Sequence, residues 1–160
     1  MFMEKSIKIW ISFGITSGII TTLWLIVWLE SWVGTKMAVI WGILIIAIAD
    51  SLSDALWILV SQESQERISF KSLWHSAVAT FSAKFIFALT FIIPIMFFDL
   101  HIATIINVLW WLAVLTILTR RIAIQHNKNK IRMILLHLTV AGAVVILTYF
   151  VWSFIHRFFW

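Results

Sequence analysis

The chain has no cysteine, one proline and five glycines among 160 residues, and only 12% of its residues carry a formal charge. Without cysteine there is no disulfide framework, no thiolate metal site and no cysteine nucleophile. Set against 62% apolar residues, so few charges leave too little polar surface to coat a water-soluble globule, and the expected solvent is lipid. Catalytic signatures are missing as well. There is no HExxH, no GxSxG and no Ser/Lys arrangement, and the closely spaced Asp50 and Asp54 lack the second-helix carboxylate of an intramembrane aspartyl protease; the chain is expected not to be an enzyme. The net charge of +5 does not point to nucleic acid, because the basic residues fall in short segments between apolar runs, where the positive-inside tendency accounts for them.

Five apolar runs are long enough to cross a hydrocarbon core, which takes about 20 helical residues. They cover residues 9–29, 37–60, 73–98, 102–119 and 133–155. The first follows Lys5 and Lys8 but is too long for a signal-peptide core and has no small-residue cleavage site, so it is expected to remain as a signal anchor. The segments Ser61 to Arg67 and Arg120 to Arg132 are too polar for the bilayer and are expected to be loops on one side. Nine of the twelve Lys and Arg residues lie in the N-terminal segment (Lys5, Lys8), at the first loop and just beyond it (Arg67, Lys71) and in the second loop (Arg120, Arg121, Lys128, Lys130, Arg132), whereas the opposite side has Lys36 and Arg157. That bias places the N-terminus in the cytoplasm and, with an odd number of spans, the C-terminus outside. The expectation is an all-α integral membrane protein: one transmembrane domain over 1–160 with five helices, no separate extramembrane domain and no internal repeat.

Inside the runs the ionisable residues are Asp50, Asp54 and Lys84, with His75 and His137 near the ends. Each intramembrane charge costs at least about 2.5–3.5 kcal/mol near a helix centre and calls for a partner or a wet path. Asp50 and Asp54, four residues apart, share one helix face that Ala47 and Trp57 continue. At 1.5 Å per residue, Asp50 and Lys84 each lie roughly 2 Å from the middle of their spans, so the two can pair. This pairing leaves Asp54 over, and two carboxylates against one ammonium make a negative face of the kind that a hard or borderline divalent cation takes. One reading is a structural Asp50–Lys84 ion pair in a membrane scaffold or subunit; the other is a cation path in which Asp54, with Asp50, binds metal or carries protons. His75 and His137 fit interfacial positions, and His101, His126 and His156 fit loop or terminal surface. Pro94 predicts a kink in the third span, and Asn107 a hydrogen bond between helices.

The runs Ser17-Gly18-Ile19-Ile20-Thr21-Thr22-Leu23, Ala49-Asp50-Ser51-Leu52-Ser53-Asp54-Ala55 and Ser61-Gln62-Glu63-Ser64, together with Phe91-Ile92-Ile93-Pro94 late in the third span, resemble the vacuolar iron transporter family over nearly the whole chain. The resemblance implies a homodimer in the membrane, of the prokaryotic cytoplasmic type, exporting Fe²⁺ or Mn²⁺ from the cytosol against protons. The path would then run near the first two helices at the dimer interface. On the cation-path reading, Asp54 is the metal ligand, Asp50 ligand or proton acceptor, Lys84 its charge partner, Ser17 and Thr21 path lining, and Gly14 and Gly18 helix-packing positions. The metal is then cargo, with no resident cofactor. The pattern departs from the family in three places: Ser17 stands where the family has an acidic residue, Asp54 where it has a methionine, and the glutamate-rich cytoplasmic helices are absent.

Eleven tryptophans outnumber five glycines, an inversion of what close packing of membrane helices favours. Interface belts account for Trp10, Trp74 and Trp160, but not for Trp24, Trp110 and Trp111 or for the spacing Trp24-x-x-x-Trp28-x-x-x-Trp32. Read as glycine, that spacing becomes a small-xxx-small seam, and at Trp57 the carboxylate stripe is no longer occluded. Trp41, Trp57, Trp111 and Trp152 also stand where the resemblance to the vacuolar iron transporter family implies glycine. Two accounts therefore stand: a tryptophan-rich chain, or UGA codons of a lineage that decodes UGA as glycine. The second predicts UGA at these positions in the coding sequence, and UGG there eliminates it.

Overall fold

A computed structural model of the chain describes residues 2–63, 69–125 and 129–159. Those residues form α1 (Phe2–Trp32), α2 (Lys36–Glu63), α3 (Phe70–Thr90), α4 (Ile92–Phe97), α5 (Leu100–Gln125) and α6 (Lys130–Phe159), and no strand occurs among them. Four stretches, Ile9–Trp32, Lys36–Glu63, Phe70–Phe97 and Leu100–Ile124, are long and apolar enough to cross a membrane. The fifth expected run falls in α6, whose described apolar stretch is Ile131–Val140. Large apolar side chains point outward along these helices, among them Ile45, Leu56, Ile86 and Leu109. Such a surface is stable only in hydrocarbon. The chain is an all-helical, multi-pass membrane protein.

The helix boundaries follow local chemistry. Gly34 ends the first turn with φ of 62° and donates its N–H to the Leu29 carbonyl at 3.2 Å, a left-handed cap that glycine adopts without a Cβ penalty. Ser69 caps α3 by accepting from the Ser72 N–H, and the Asn129 side chain accepts from the N–H groups of Ile131 and Arg132 at the start of α6; each side chain occupies backbone donors that a helix N-terminus leaves open. The segment expected as a loop from Ser61 is helical through Glu63, and Gln62 is buried. Residues 64–68, including Arg67, lie outside the described residues, as does His126.

Pro94 does more than kink the third span. The helix stops at Thr90, Phe91 turns, and α4 resumes at Ile92, because the proline ring lacks an N–H and crowds the carbonyl one turn earlier. Asn107 of α5 fills part of that gap, its Nδ2 donating to the Phe91 carbonyl at 3.1 Å. The Trp110 indole donates to Thr90 Oγ1 at 3.3 Å. The interhelical role expected for Asn107 is thus specific: it bonds the backbone at the residue where the helix breaks.

Two compact units divide the chain, Met1–Trp111 and Leu112–Trp160. In the first, α1, α2 and α3 pack on one another. The short Val33–Thr35 link makes α1 and α2 antiparallel neighbours, with Ser17 beside Asp54 and Phe13 stacked on Trp57 at 6.2 Å. α3 runs parallel to α1, because Gly14 faces Thr80 and Gly18 faces Lys84. A Cβ on Gly14 would sit 2.7 Å from the Thr80 carbonyl oxygen, and one on Gly18 would sit 2.8 Å from Lys84 Cγ. These two glycines set the α1–α3 distance: at Gly14 the nearest neighbour is backbone and cannot yield easily, and at Gly18 it is the Lys84 stem with the Lys84 carbonyl oxygen at 3.2 Å behind it. In the second unit, Leu115, Thr119 and Ala123 continue along α5 the buried stripe begun by Ala103, Asn107 and Trp111. Gly14→Val is expected to destabilise the fold by about 1–3 kcal/mol through overpacking, read as a lower thermal midpoint in detergent; a midpoint equal to the parent's would contradict this packing.

Candidate functional site

The first unit's core contains one ammonium, and it is held by groups from all three helices. Lys84 Nζ donates to Asp54 Oδ2 at 2.5 Å and to Ser17 Oγ at 2.9 Å, and it lies 2.7 Å from Asp50 Oδ2. Ser17 in turn donates its hydroxyl to Asp54 Oδ2 at 3.0 Å. The four side chains form a closed knot: α1 gives the hydroxyl, α2 the two carboxylates and α3 the ammonium. Gly18 makes the knot possible, because the Lys84 stem passes where its Cβ would be.

The Asp50–Lys84 pair expected from depth is present, but Asp54 is not left over: Lys84 bridges both carboxylates, and its hydrogen bond goes to Asp54. Asp50 Oδ2, although an ion-pair partner, makes no hydrogen bond. Burial is unequal across the knot. The Lys84 side chain is 2% exposed, whereas Asp50 and Asp54 keep 27% and 20% of their side-chain surface open. The cation is therefore sealed inside and the carboxylates form the outer edge. With both carboxylates ionised and Lys84 protonated, the knot carries one net negative charge.

The other expected site residues fall as follows. Thr21 donates its hydroxyl to the Ser17 carbonyl at 3.0 Å; its one proton is committed to its own helix, and only its oxygen lone pairs are left to line a path. Ser53, three residues from Asp50 on α2, is exposed and is not in the knot. The His75 ring bonds the Lys71 carbonyl and the His137 ring the Met133 carbonyl, each within its own helix. His101 is on the surface as expected, yet its Nδ1 lies 3.1 Å from Glu30 Oε1, a long-range contact that no sequence spacing signals. Sequence reasoning missed Ser51, Gln62, Ser76 and Thr80, all buried within this unit. A signal existed for part of that set, since Ser76, Thr80 and Lys84 repeat at four-residue spacing along α3.

Among the described residues, no three His, Cys, Asp or Glu side chains come together as a metal-holding group. The knot thus offers a cation two carboxylates and one hydroxyl per chain. No family model, curated protein or solved structure matches the chain.

Removing the ammonium should expose the strain that it relieves. Lys84→Met keeps the length of the stem but leaves two adjacent carboxylates without a counter-charge, a loss of about 3–5 kcal/mol for breaking a buried pair. The readout is thermal unfolding in detergent, and adding Asp50→Asn and Asp54→Asn to Lys84→Met should recover much of the loss. A Lys84→Met protein as stable as the parent would show that the knot contributes nothing to the fold.

Proposed function

We propose that this chain is a secondary transporter that moves a divalent metal ion, Fe²⁺ or Mn²⁺, out of the cytosol in exchange for protons, with the Asp50–Asp54 pair as its exchange site. The observation that carries this reading is the charge imbalance of the knot: two carboxylates at membrane depth meet one ammonium, and it is the carboxylates, not the ammonium, that keep open surface. A net charge in a low-dielectric interior is costly, so the knot favours uptake of one more positive charge. A proton satisfies that demand in the metal-free state.

A divalent ion satisfies it differently. Bound between Asp50 and Asp54, with Ser17 Oγ as a further oxygen donor, it supplies both of the positive charges that Lys84 and the proton supply otherwise. Carboxylate and hydroxyl oxygens suit Mn²⁺ and Fe²⁺ better than softer ions. Charge balance then has the metal displace two protons, one from the carboxylate pair and one from Lys84. Each species leaves the site neutral.

The choice of metal, the export direction, the homodimer and the prokaryotic cytoplasmic membrane rest on the resemblance to vacuolar iron transporters. Five spans with the N-terminus inside and the C-terminus outside rest on the apolar runs and the positive-inside bias. That orientation puts the end of α2 and the start of α3 on the cytosolic side.

A second reading is favoured by one observation. Lys84 Nζ already has three oxygen partners, which is all that an ammonium can donate to. On this reading the knot fixes helix register in a scaffold and binds nothing. Metal-dependent thermal stabilisation separates the two, because a ligand at 100 times its Kd raises stability by about 2.7 kcal/mol and a scaffold gains none.

In proteoliposomes, Asp54→Ala is expected to lower Mn²⁺ flux at least roughly tenfold, the loss of one of two carboxylate ligands costing about 1.4 kcal/mol or more. The parent should release two protons per metal ion, with a rate that does not respond to an imposed membrane potential. Parent-like flux in Asp54→Ala removes the assigned roles, and a potential-dependent rate removes the two-proton balance.

A further inference from the structure

All seven acidic residues of the chain lie before residue 100, and the second unit, Leu112–Trp160, has none. It carries six basic residues instead: Arg120, Arg121, Lys128, Lys130 and Arg132 within thirteen positions, and Arg157 near the other end of α6. The side chains of Arg120, Arg121 and Arg132 are exposed, and among the described residues none of the three pairs with a carboxylate. Positive-inside bias explains which side of a membrane such residues occupy, but not what neutralises them there. On the side that this bias assigns to the cluster, three acids (Glu4, Glu63 and Glu66) stand against nine basic residues, so protein carboxylates cannot balance it.

Within this cluster the first two turns of α6 carry a groove of about 280 Å³ lined by Asn129, Arg132, Met133 and Leu136. Spaced three and four apart, these positions share one helix face. The lining changes along that face. An amide and a guanidinium stand at its start, and Leu136 lies about 6 Å beyond Arg132 at 1.5 Å per residue, inside the apolar stretch Ile131–Val140. Ile131, Leu135 and Val140 are exposed around the groove, a surface that only hydrocarbon suits. The Asn129 side chain already takes the N–H groups of Ile131 and Arg132, and its carbonyl takes that of Met133. An anion at this end is therefore left to the Arg132 side chain, whose planar fork of donors matches a phosphate.

We propose that this groove is a binding site for one anionic phospholipid, with the phosphodiester on Arg132 and an acyl chain laid over Met133 and Leu136. Arg120, Arg121, Lys128 and Lys130 add attraction for the negative headgroup without a fixed contact, as a juxtamembrane basic cluster does. The occupant is a lipid and not a soluble polyanion, because a nucleic acid or a free phosphate would satisfy the guanidinium and leave the apolar half of the groove uncovered. The site shares no residue with the knot of Ser17, Asp50, Asp54 and Lys84, and it stands whether or not the protein transports a metal.

Native mass spectrometry of the full chain, released from detergent micelles with added lipid, tests this by counting bound lipids. The parent should bind dioleoylphosphatidylglycerol at least about tenfold more tightly than dioleoylphosphatidylcholine, since several basic groups face the headgroup. Arg132→Ala should weaken phosphatidylglycerol binding about fivefold, the roughly 1 kcal/mol that one arginine contributes at an anionic surface, and Arg157→Ala, with the same loss of charge elsewhere on α6, should leave it unchanged. Leu136→Asn should weaken phosphatidylglycerol binding without altering the binding of glycerol 3-phosphate, which has no acyl chain. All three substituted side chains are exposed, and an unchanged helical circular dichroism spectrum checks that each variant folds. Equal affinity for the two phospholipids overturns the site. An equal loss in Arg132→Ala and Arg157→Ala means diffuse attraction to the whole helix and overturns it too. Glycerol 3-phosphate binding as tightly as phosphatidylglycerol would make the groove a soluble-anion site and remove the lipid.

Discussion

The attraction between one ammonium and two carboxylates fixes more of this protein than any other contact. Lys84 reaches Asp50, Asp54 and Ser17 together, and those groups come from three helices that have little else but apolar surface to tell them how to rotate against one another. Apolar packing in lipid is weakly directional, since lipid tails compete on equal terms with side chains. A buried ion pair is directional: a rotation of α2 that carried the carboxylates away from α3 would strand charge in hydrocarbon. The two glycines of α1 serve this constraint. Gly18 admits the Lys84 stem, and Gly14 lets α1 approach Thr80 one turn away.

The same constraint explains where function can reside. An ion pair with equal charges would be a closed account, stable and inert. Here one carboxylate is surplus, and the outer edge of the knot is anionic and open while the cation is sealed behind it. Structure and chemistry are thus in tension at this point. The proline break at Phe91 is braced by Asn107, His75 and His137 bond carbonyls of their own helices, and His101 meets Glu30.

Much of the fold was legible in the sequence because membrane helices announce themselves by length and apolarity. Four of the expected runs correspond to apolar stretches, with ends shifted by a few residues where caps such as Gly34 and Ser69 decide them. The run through Pro94 became two helices, since the proline lies in the first turn of the second helix, where it is tolerated, and forces the break one turn earlier at Phe91. Depth arithmetic placed Asp50 opposite Lys84 correctly, for rise per residue is constant. It could not show that Lys84 also reaches Asp54, because that depends on how two helices rotate and how far a four-carbon stem leans. Gln62 was hidden by its neighbours: polar residues at 61–67 read as loop, while the helix carries on to Glu63 and turns Gln62 inward. Ser76 and Thr80 were visible as a four-residue stripe with Lys84, but small hydroxyls in an apolar helix resemble packing residues until their partners are known.

The charge state of the knot is the quantity on which the account turns, and infrared difference spectroscopy of the protein in lipid reads it directly. The account predicts that metal-free protein holds one protonated carboxyl whose C=O stretch disappears on adding Mn²⁺ and is absent beforehand when Asp50 and Asp54 are both replaced by Asn. A spectrum with both carboxylates ionised before metal, and unchanged after it, would contradict it.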